Sequence, residues 1–432
     1  MQAKSIAYVD TVYSADSIEW CPFEGYQDIF VCGTYQIIKP EDAEQAAVPD
    51  PSVDVMHEDS EEEEIEAGPS KPTQRKGRLL VYQVAEDDSL TEIQRIETPA
   101  ILDTKWSPEL NQGRPVLGVA DAKGHIALNA LNSETRRLEL LQQINVDDDT
   151  ILCLSLDWSN RLDSSAATSI IASLSNGNLA HVIPAPTGWE VDSTWKAHDF
   201  EPWITSFDCW DANTVWSGGD DCKLKRWDIR ETFRPTFVNK NFDAGVTTIT
   251  SSPHTEHLLA VGSYDENLRI FDTRSPKEPI TTIHLGGGIW RTRFHPSPQR
   301  KNEILNGCMH DNFKIVKLSD CTIDLNVDAN EQGGEIVRTF EAHESLAYGC
   351  DWSRLPDSEE GTLIASCSFY DHAMHLWRVD PLSAELQIRV VDRNDTQRLT
   401  ITSTKRNINM HEHVAQRCTF CSMNEYKHAR AR

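Results

Sequence analysis

A chain of 432 residues with 39% hydrophobic content can bury a large core, and its 68 acidic against 41 basic residues leave a formal net charge of −27. That balance excludes a general grip on nucleic acid, whose phosphates need stripes of Lys and Arg. No run of about 18 apolar residues is present and the opening MQAKSIAYVD lacks the apolar stretch of a secretory signal, so the reading is an unsecreted chain with no membrane partner.

In chain order, the first β-prone segment is SIAYVDTVY, residues 5–13, which stands ahead of the first full repeat. Propellers close by letting such a segment supply the outer strand of the last blade, because closure removes exposed sheet edges; residues 5–13 are assigned there. Repeat one runs through DSIEWCP (16–22), IFVCGTYQI (29–37) and GRLLVYQV (77–84). Within it, residues 39–76 contain EDSEEEEIEAGPSKP, rich in Glu, Pro and Ser and poor in aromatics. Such a segment cannot bury enough apolar surface to order itself and reads as a disordered, solvated acidic insertion.

The later repeats share two cues, a β run ending near Trp-Ser or His-Pro, then a small-residue strand, a polar turn and another strand. Repeat two has ILDTKWSP (101–108) and VLGVADAKGHIAL (116–128); repeat three has CLSLDWS (153–159) and IIASLSNGNLAHV (170–182). Repeat four has ITSFDCW (204–210) and WSGGDDCKLKRWDIR (216–230), echoed in repeat five by AVGSYDENLRIFDTR (260–274). These two copies lie about 44 residues apart, the length of a four-stranded WD-type blade. Repeat six has WRTRFHP (290–296) and ILNGCMHDNFKIV (304–316), and the last has YGCDWS (348–353) and LIASCSFYDHAMHLW (363–377). The prediction is all-β: a seven-bladed WD-repeat β-propeller over residues 1–380, with the disordered acidic insertion at 39–76 in blade one and an irregular, disordered tail over 381–432. The 11 cysteines are odd in number and lie mostly in apolar runs, such as Cys32, Cys153 and Cys367, which suits reduced, packed thiols. In the tail, His411, His413, Cys418 and Cys421 surround a single CxxC; without a second pair this is weak for zinc, and no metal is expected.

In a propeller, the loop leading into each first strand and the turn between second and third strands share one face around the central channel. The turns supply Tyr264, Asp265, His310, Asp311, Tyr370, Asp371 and His372, and the lead-in loops add Trp203, Trp290, Arg291 and Tyr348. Turn geometry alone asks only for Gly, Asn and Asp, so rings, imidazoles and a guanidinium there mark a binding face. Asp221, Asp265 and Asp371 hold equivalent turn positions, where a carboxylate commonly knits the blade together; His198 and His343 read as their framework partners. Cys308, two residues before His310, raises a Cys/His nucleophile as an alternative, if strand alternation puts both on one side. No nucleophile elbow, zinc-protease helix or phosphate-cradling loop is present.

WKAHDFEPW, SGGDD, SSPHTEHLLAVGSYDENLRIFDTR, GGIWRTRFHP, CMHDNFKIV, YGCDWS and CSFYDHAMHLW, with DSIEWCP and GTYQ nearer the start, together resemble the eukaryotic diphthine methyltransferase family of WD-repeat proteins. The resemblance covers roughly residues 15–377. It implies a cytoplasmic methylesterase that hydrolyses the methyl ester of methylated diphthine on elongation factor 2, a late step of diphthamide synthesis, releasing methanol with no cofactor or methyl donor and acting as a monomer. No catalytic residue carries over with it. The implied substrate has a trimethylammonium group beside its ester, and aromatic faces hold such cations: Trp203, Trp290, Tyr264 and Tyr370 are the expected cage. Ester hydrolysis needs a base and an oxyanion donor, for which His310 or His372, oriented by Asp371, and Arg291 are expected. A non-enzymatic alternative is a substrate receptor of a cullin-based ubiquitin ligase, since WDIR (227–230) and FDTR (271–274) resemble the Trp-Asp-x-Arg boxes of such propellers, unless each Arg simply pairs with a neighbouring blade.

Overall fold

Alternating apolar strands separated by polar turns fold into seven four-stranded antiparallel sheets in this computed structural model, which describes residues 3–38, 74–162, 167–324, 333–356 and 361–379. The first strand of each sheet is innermost: β2 (Ser14–Trp20), β6 (Ile101–Trp106), β10 (Cys153–Trp158), β14 (Ile204–Phe207), β18 (Val246–Ser251), β22 (Arg291–Phe294) and β26 (Ala347–Trp352). Each packs on the next, and β26 packs back on β2, so the ring closes around a central channel. This is a seven-bladed β-propeller.

Closure follows the expected route. Strand β1 (Ser5–Asp10) pairs antiparallel with β28 (Ala373–Val379), Tyr8 opposite His375 and Val9 opposite Met374. Ala7 and Val9 pack against Leu363, Met374 and Leu376, while Ser5 Oγ lies 2.8 Å from His375 Nδ1. The last sheet is thus built from both ends of the propeller sequence, β1 covering the outer edge of β28.

Fully buried Trp20, Trp106, Trp158, Trp216, Trp352 and Trp377 anchor the packing between strands, each worth on the order of 2 kcal/mol or more in apolar area removed from water. Hydrogen-bonded chains run through two blades. His198 Nδ1 meets Asp221 Oδ1 at 2.8 Å and its Nε2 meets Ser217 Oγ at 2.7 Å, with Trp227 Nε1 donating to the same hydroxyl at 2.9 Å. His343 repeats this through Ser366 and Ser368, the latter donating to Asp371. Both histidines are framework residues. Their conjugate acids are disfavoured, chiefly by burial, so the neutral rings act as fixed connectors. Cys21, Cys32, Cys153, Cys308, Cys350 and Cys367 are buried free thiols, and Cys209 and Cys222 are partly exposed ones.

Blade one departs from the expected boundary. Its third strand, β4 (Gln74–Val84), begins inside the stretch assigned to the acidic insertion, because Gln36, Ile37 and Ile38 keep pairing with Lys76, Arg75 and Gln74. Arg75 Nε also donates to Tyr35 Oη at 2.9 Å, holding the extended ladder. The insertion from residue 39 to 73 and the tail from residue 380, with His411, His413, Cys418 and Cys421, lie outside the described residues. Among the described residues no helix is long and apolar enough to cross a membrane.

Candidate functional site

The inner strands carry an irregularity that shapes the channel mouth. Pairing shifts at Ala15/Ser17, Ile101/Asp103, Cys153/Ser155, Val246/Thr248 and Ala347/Cys350 insert β-bulges near the start of five inner strands. A bulge bends the strand and re-aims a side chain. In blades four and six, Trp203 and Trp290 stand in the matching place just before β14 and β22.

The rings brought there form a continuous arc. Trp203 and Trp290 have centroids 5.6 Å apart, Tyr264 lies 6.1 Å from Trp290, and Tyr348 stacks on Trp290 at 4.9 Å and 23°. The arc continues through Phe369, 5.0 Å from Tyr348, to Tyr370 at 5.0 Å and Tyr35 at 6.1 Å. Trp203 Nε1 donates to Asp220 Oδ1 at 2.6 Å, which fixes its indole plane. Burial raises the Asp220 carboxyl above its usual range. Trp290 Nε1 is buried and has no hydrogen-bond partner among the described residues. The run Gly286–Gly288 makes this approach possible: Gly286 has φ +83°, and a Cβ on Gly287 would collide with the Cys308 carbonyl.

Of the expected cage, Trp203 and Tyr264 therefore each meet Trp290. Tyr370 reaches them only through Phe369 and Tyr348 and is itself 71% exposed. Phe369 had no place in the sequence reading, although it directly precedes Tyr370 in the last blade's turn.

Beneath the arc the channel is ionic. Arg291 is buried and reaches from blade six to blade two, Nη1 lying 3.3 Å from Asp103 Oδ1, which also accepts from Lys105 Nζ at 2.7 Å. Arg293 spans from blade six to Glu19 of blade one at 2.5 Å. These two struts cross the channel. At its other end a cavity of about 360 Å³ is lined by Glu19, Lys105, Asp157, Arg161, Arg293 and Arg354 among others.

The expected base and its orienting carboxylate are not brought together. Asp371 is occupied by Ser368 Oγ at 2.5 Å, the Glu344 amide at 3.0 Å and the Ala373 amide at 3.4 Å. His372 adopts φ +54° and offers its carbonyl to the Thr11 amide at 2.9 Å. His310 is exposed on its turn, and neither imidazole has a hydrogen-bond partner among the described residues. Cys308 does not accompany His310: the left-handed Met309, φ +37°, breaks the strand alternation, leaving the thiol fully buried in the core. Burial pushes that thiol far above its usual range, which disfavours a thiolate nucleophile. The box arginines pair within their own boxes, Arg230 with Asp228 and Arg274 with Asp272, each at 2.6 Å, not with a neighbouring blade.

A chain in the crystal structure of a mitotic checkpoint complex superposes with a TM-score of 0.60 at 15% identity, covering 88% of this chain and 93% of its own; that likeness is one of fold. No family model matches. The diphthine methyltransferase of Mus musculus is 37% identical over 365 residues, 82% of this chain and 70% of the mouse protein. The diphthine methyltransferase homolog of Dictyostelium discoideum is 35% identical over 411 residues, 87% of this chain and 98% of that protein. This chain belongs to the diphthine methyltransferase family. In this diphthine methyltransferase family member, the mouth of the channel combines an aromatic arc with the buried guanidinium of Arg291, the residue that follows Trp290.

Proposed function

We propose that the protein is a cytoplasmic methylesterase that hydrolyses the methyl ester of methylated diphthine on elongation factor 2, giving diphthine and methanol. The observation that carries this reading is the Trp203–Trp290–Tyr348 arc with Tyr264 beside it, set above Arg291. A trimethylammonium group fits against ring faces, each contact contributing on the order of 1 kcal/mol or more once desolvated. Arg291 then serves the oxyanion that forms at the adjacent ester carbon. Water is the second substrate, so the reaction calls for no methyl donor. The chain's excess negative charge favours approach of the cation, and added salt weakens that attraction.

The deciding experiment is methanol release from methylated diphthine peptide by the purified protein alone. Release supports hydrolysis by this protein without a partner; no release together with copurification of a ligase adaptor supports the receptor reading. Trp290→Ala is expected to raise KM roughly five-fold or more while changing kcat less. Equal losses in kcat and kcat/KM would mean that the ring acts in the transition state instead.

His310 and His372 stand on the outer rim in this reading and meet the polypeptide around the modified side chain. Their joint replacement by Ala is expected to raise KM by roughly two- to five-fold with kcat retained. A fall in kcat of about 100-fold or more would return the base to a histidine.

A further inference from the structure

Six of the seven inner strands end on a buried aromatic, namely Trp20, Trp106, Trp158, Phe207, Phe294 and Trp352. The residue four positions earlier marks the channel mouth in each. In blades two, three, four, six and seven it is Leu102, Leu154, Trp203, Trp290 or Tyr348. Blade five has Thr247 at its bulge, with the hydroxyl given to the backbone carbonyls of Ile289 and Gly262. In blade one the position holds Asp16, the one ionisable carboxyl in a ring otherwise aliphatic, aromatic or internally satisfied.

Asp16 is 4% exposed. Among the described residues its carboxyl has neither a hydrogen bond nor an ion pair. Burying a carboxylate unpaired is costly, and packing alone would favour an aliphatic residue like those of blades two and three. The position of Asp16 next to the arc is fixed by backbone contact: a Cβ on Gly349 would lie 2.7 Å from Ile18 N and 2.8 Å from Ser17 C, so the Tyr348–Gly349 bulge rests on the residues following Asp16. The groups coupled to it through their charge are the Arg291 guanidinium from blade six, the Asp103 carboxylate from blade two, the Tyr348 phenol and the Cys367 thiol. Burial raises its carboxyl to about 8, Arg291 opposing and Asp103 reinforcing the shift. A base with that affinity for protons is well matched to water activation near neutral pH.

We propose that Asp16 is the general base of the ester hydrolysis, an assignment that rests on the methylesterase reading. The ionised carboxyl takes a proton from water as the water oxygen bonds to the ester carbonyl carbon, and the carbonyl electron pair moves onto its oxygen, opposite Arg291. When that tetrahedral oxyanion collapses, the bond from carbon to the methoxy oxygen breaks. Asp16 returns its proton to this oxygen and methanol leaves. The carboxylic acid product then gives its proton to solvent, and Asp16 is ionised again.

The test is the pH dependence of methanol release from methylated diphthine peptide, measured on the intact protein and on Asp16→Asn. If the unmodified protein releases no methanol, the methylesterase reading falls, and the assignment to Asp16 falls with it. If it does release methanol, kcat/KM is expected to rise about ten-fold per pH unit below a bend near 8 and then level. The bend in kcat should lie lower, because the bound cation favours the carboxylate. Asp16→Asn is expected to lose roughly 10² to 10⁴ in kcat and the bend itself, with KM changed only a few-fold. A flat kcat/KM between pH 7 and 9 in the unmodified protein overturns the assignment, whether or not the variant folds. So does an Asp16→Asn protein that keeps the bend and a kcat within ten-fold.

Discussion

A chain lacking residues 1–13 is expected to aggregate or unfold, whereas excision of residues 50–69 leaves the melting temperature and monomeric elution unchanged. The first deletion removes β1 and with it every backbone hydrogen bond on the outer side of β28. It also strips Ala7 and Val9 from the cluster that contains Met374 and Leu376, and a long unpaired strand edge is a template for pairing with other chains. The second deletion lies between β3 (Ile29–Ile38) and β4, which pair with each other directly through Ile38 and Gln74. Lengthening or shortening such a connection changes closure entropy only slightly. Size-exclusion chromatography and thermal melts of both proteins decide the matter; a monomeric truncated chain with an unchanged melting temperature would show that the seventh sheet does not depend on β1.

Arg293→Met is expected to cost about 3 kcal/mol or more in stability at neutral pH. Arg293 is 16% exposed at its side chain and Glu19 8%, so removing the cation leaves a carboxylate uncompensated in the channel, the situation in which a broken buried pair is most damaging. Burial already raises the Glu19 carboxyl and Arg293 is the largest influence pulling it back. Without Arg293 it rises further. A carboxyl raised in the folded state contributes stability that is complete below its unfolded value, here 4.5, and is lost as pH climbs through the folded value. The deficit of Arg293→Met should therefore shrink as the medium is acidified from neutrality, and Arg293→Met with Glu19→Gln should recover most of it. Urea unfolding of the three proteins across pH measures this. A deficit that ignores both pH and Glu19→Gln would assign the loss to packing of the guanidinium stem.

The repeats were legible because each blade restates one local rule, apolar alternation followed by a polar turn, and the turns of blades four and five state it most plainly. The framework roles of His198 and His343 were legible for the same reason. The site was only partly so. Trp203, Trp290 and Tyr264 could be found as residues too large for their turns, but Asp371 looks identical whether it serves catalysis or the blade, and its three donors decide for the blade. Asp16 was hidden by its bulge: period-two reading places it on an ordinary strand, and only alignment of the six inner strands that end on an aromatic brings it level with Trp290. Arg291 and Asp103, or Arg293 and Glu19, meet across the channel from opposite ends of the chain, so no local pattern announces them.

The pairing of β1 with β28 also sets a schedule for synthesis. Tyr8 leaves the ribosome early, yet His375, its partner, is made some hundreds of residues later, roughly tens of seconds at 5–20 residues per second. Throughout that interval β1 is a strand without a sheet, and six blades can assemble while the ring stays open. The final step then joins two distant chain segments, a contact that is entropically slow to form. A nascent-chain chaperone that shields residues 5–10 would therefore influence the yield of active protein more than one that acts on the interior blades.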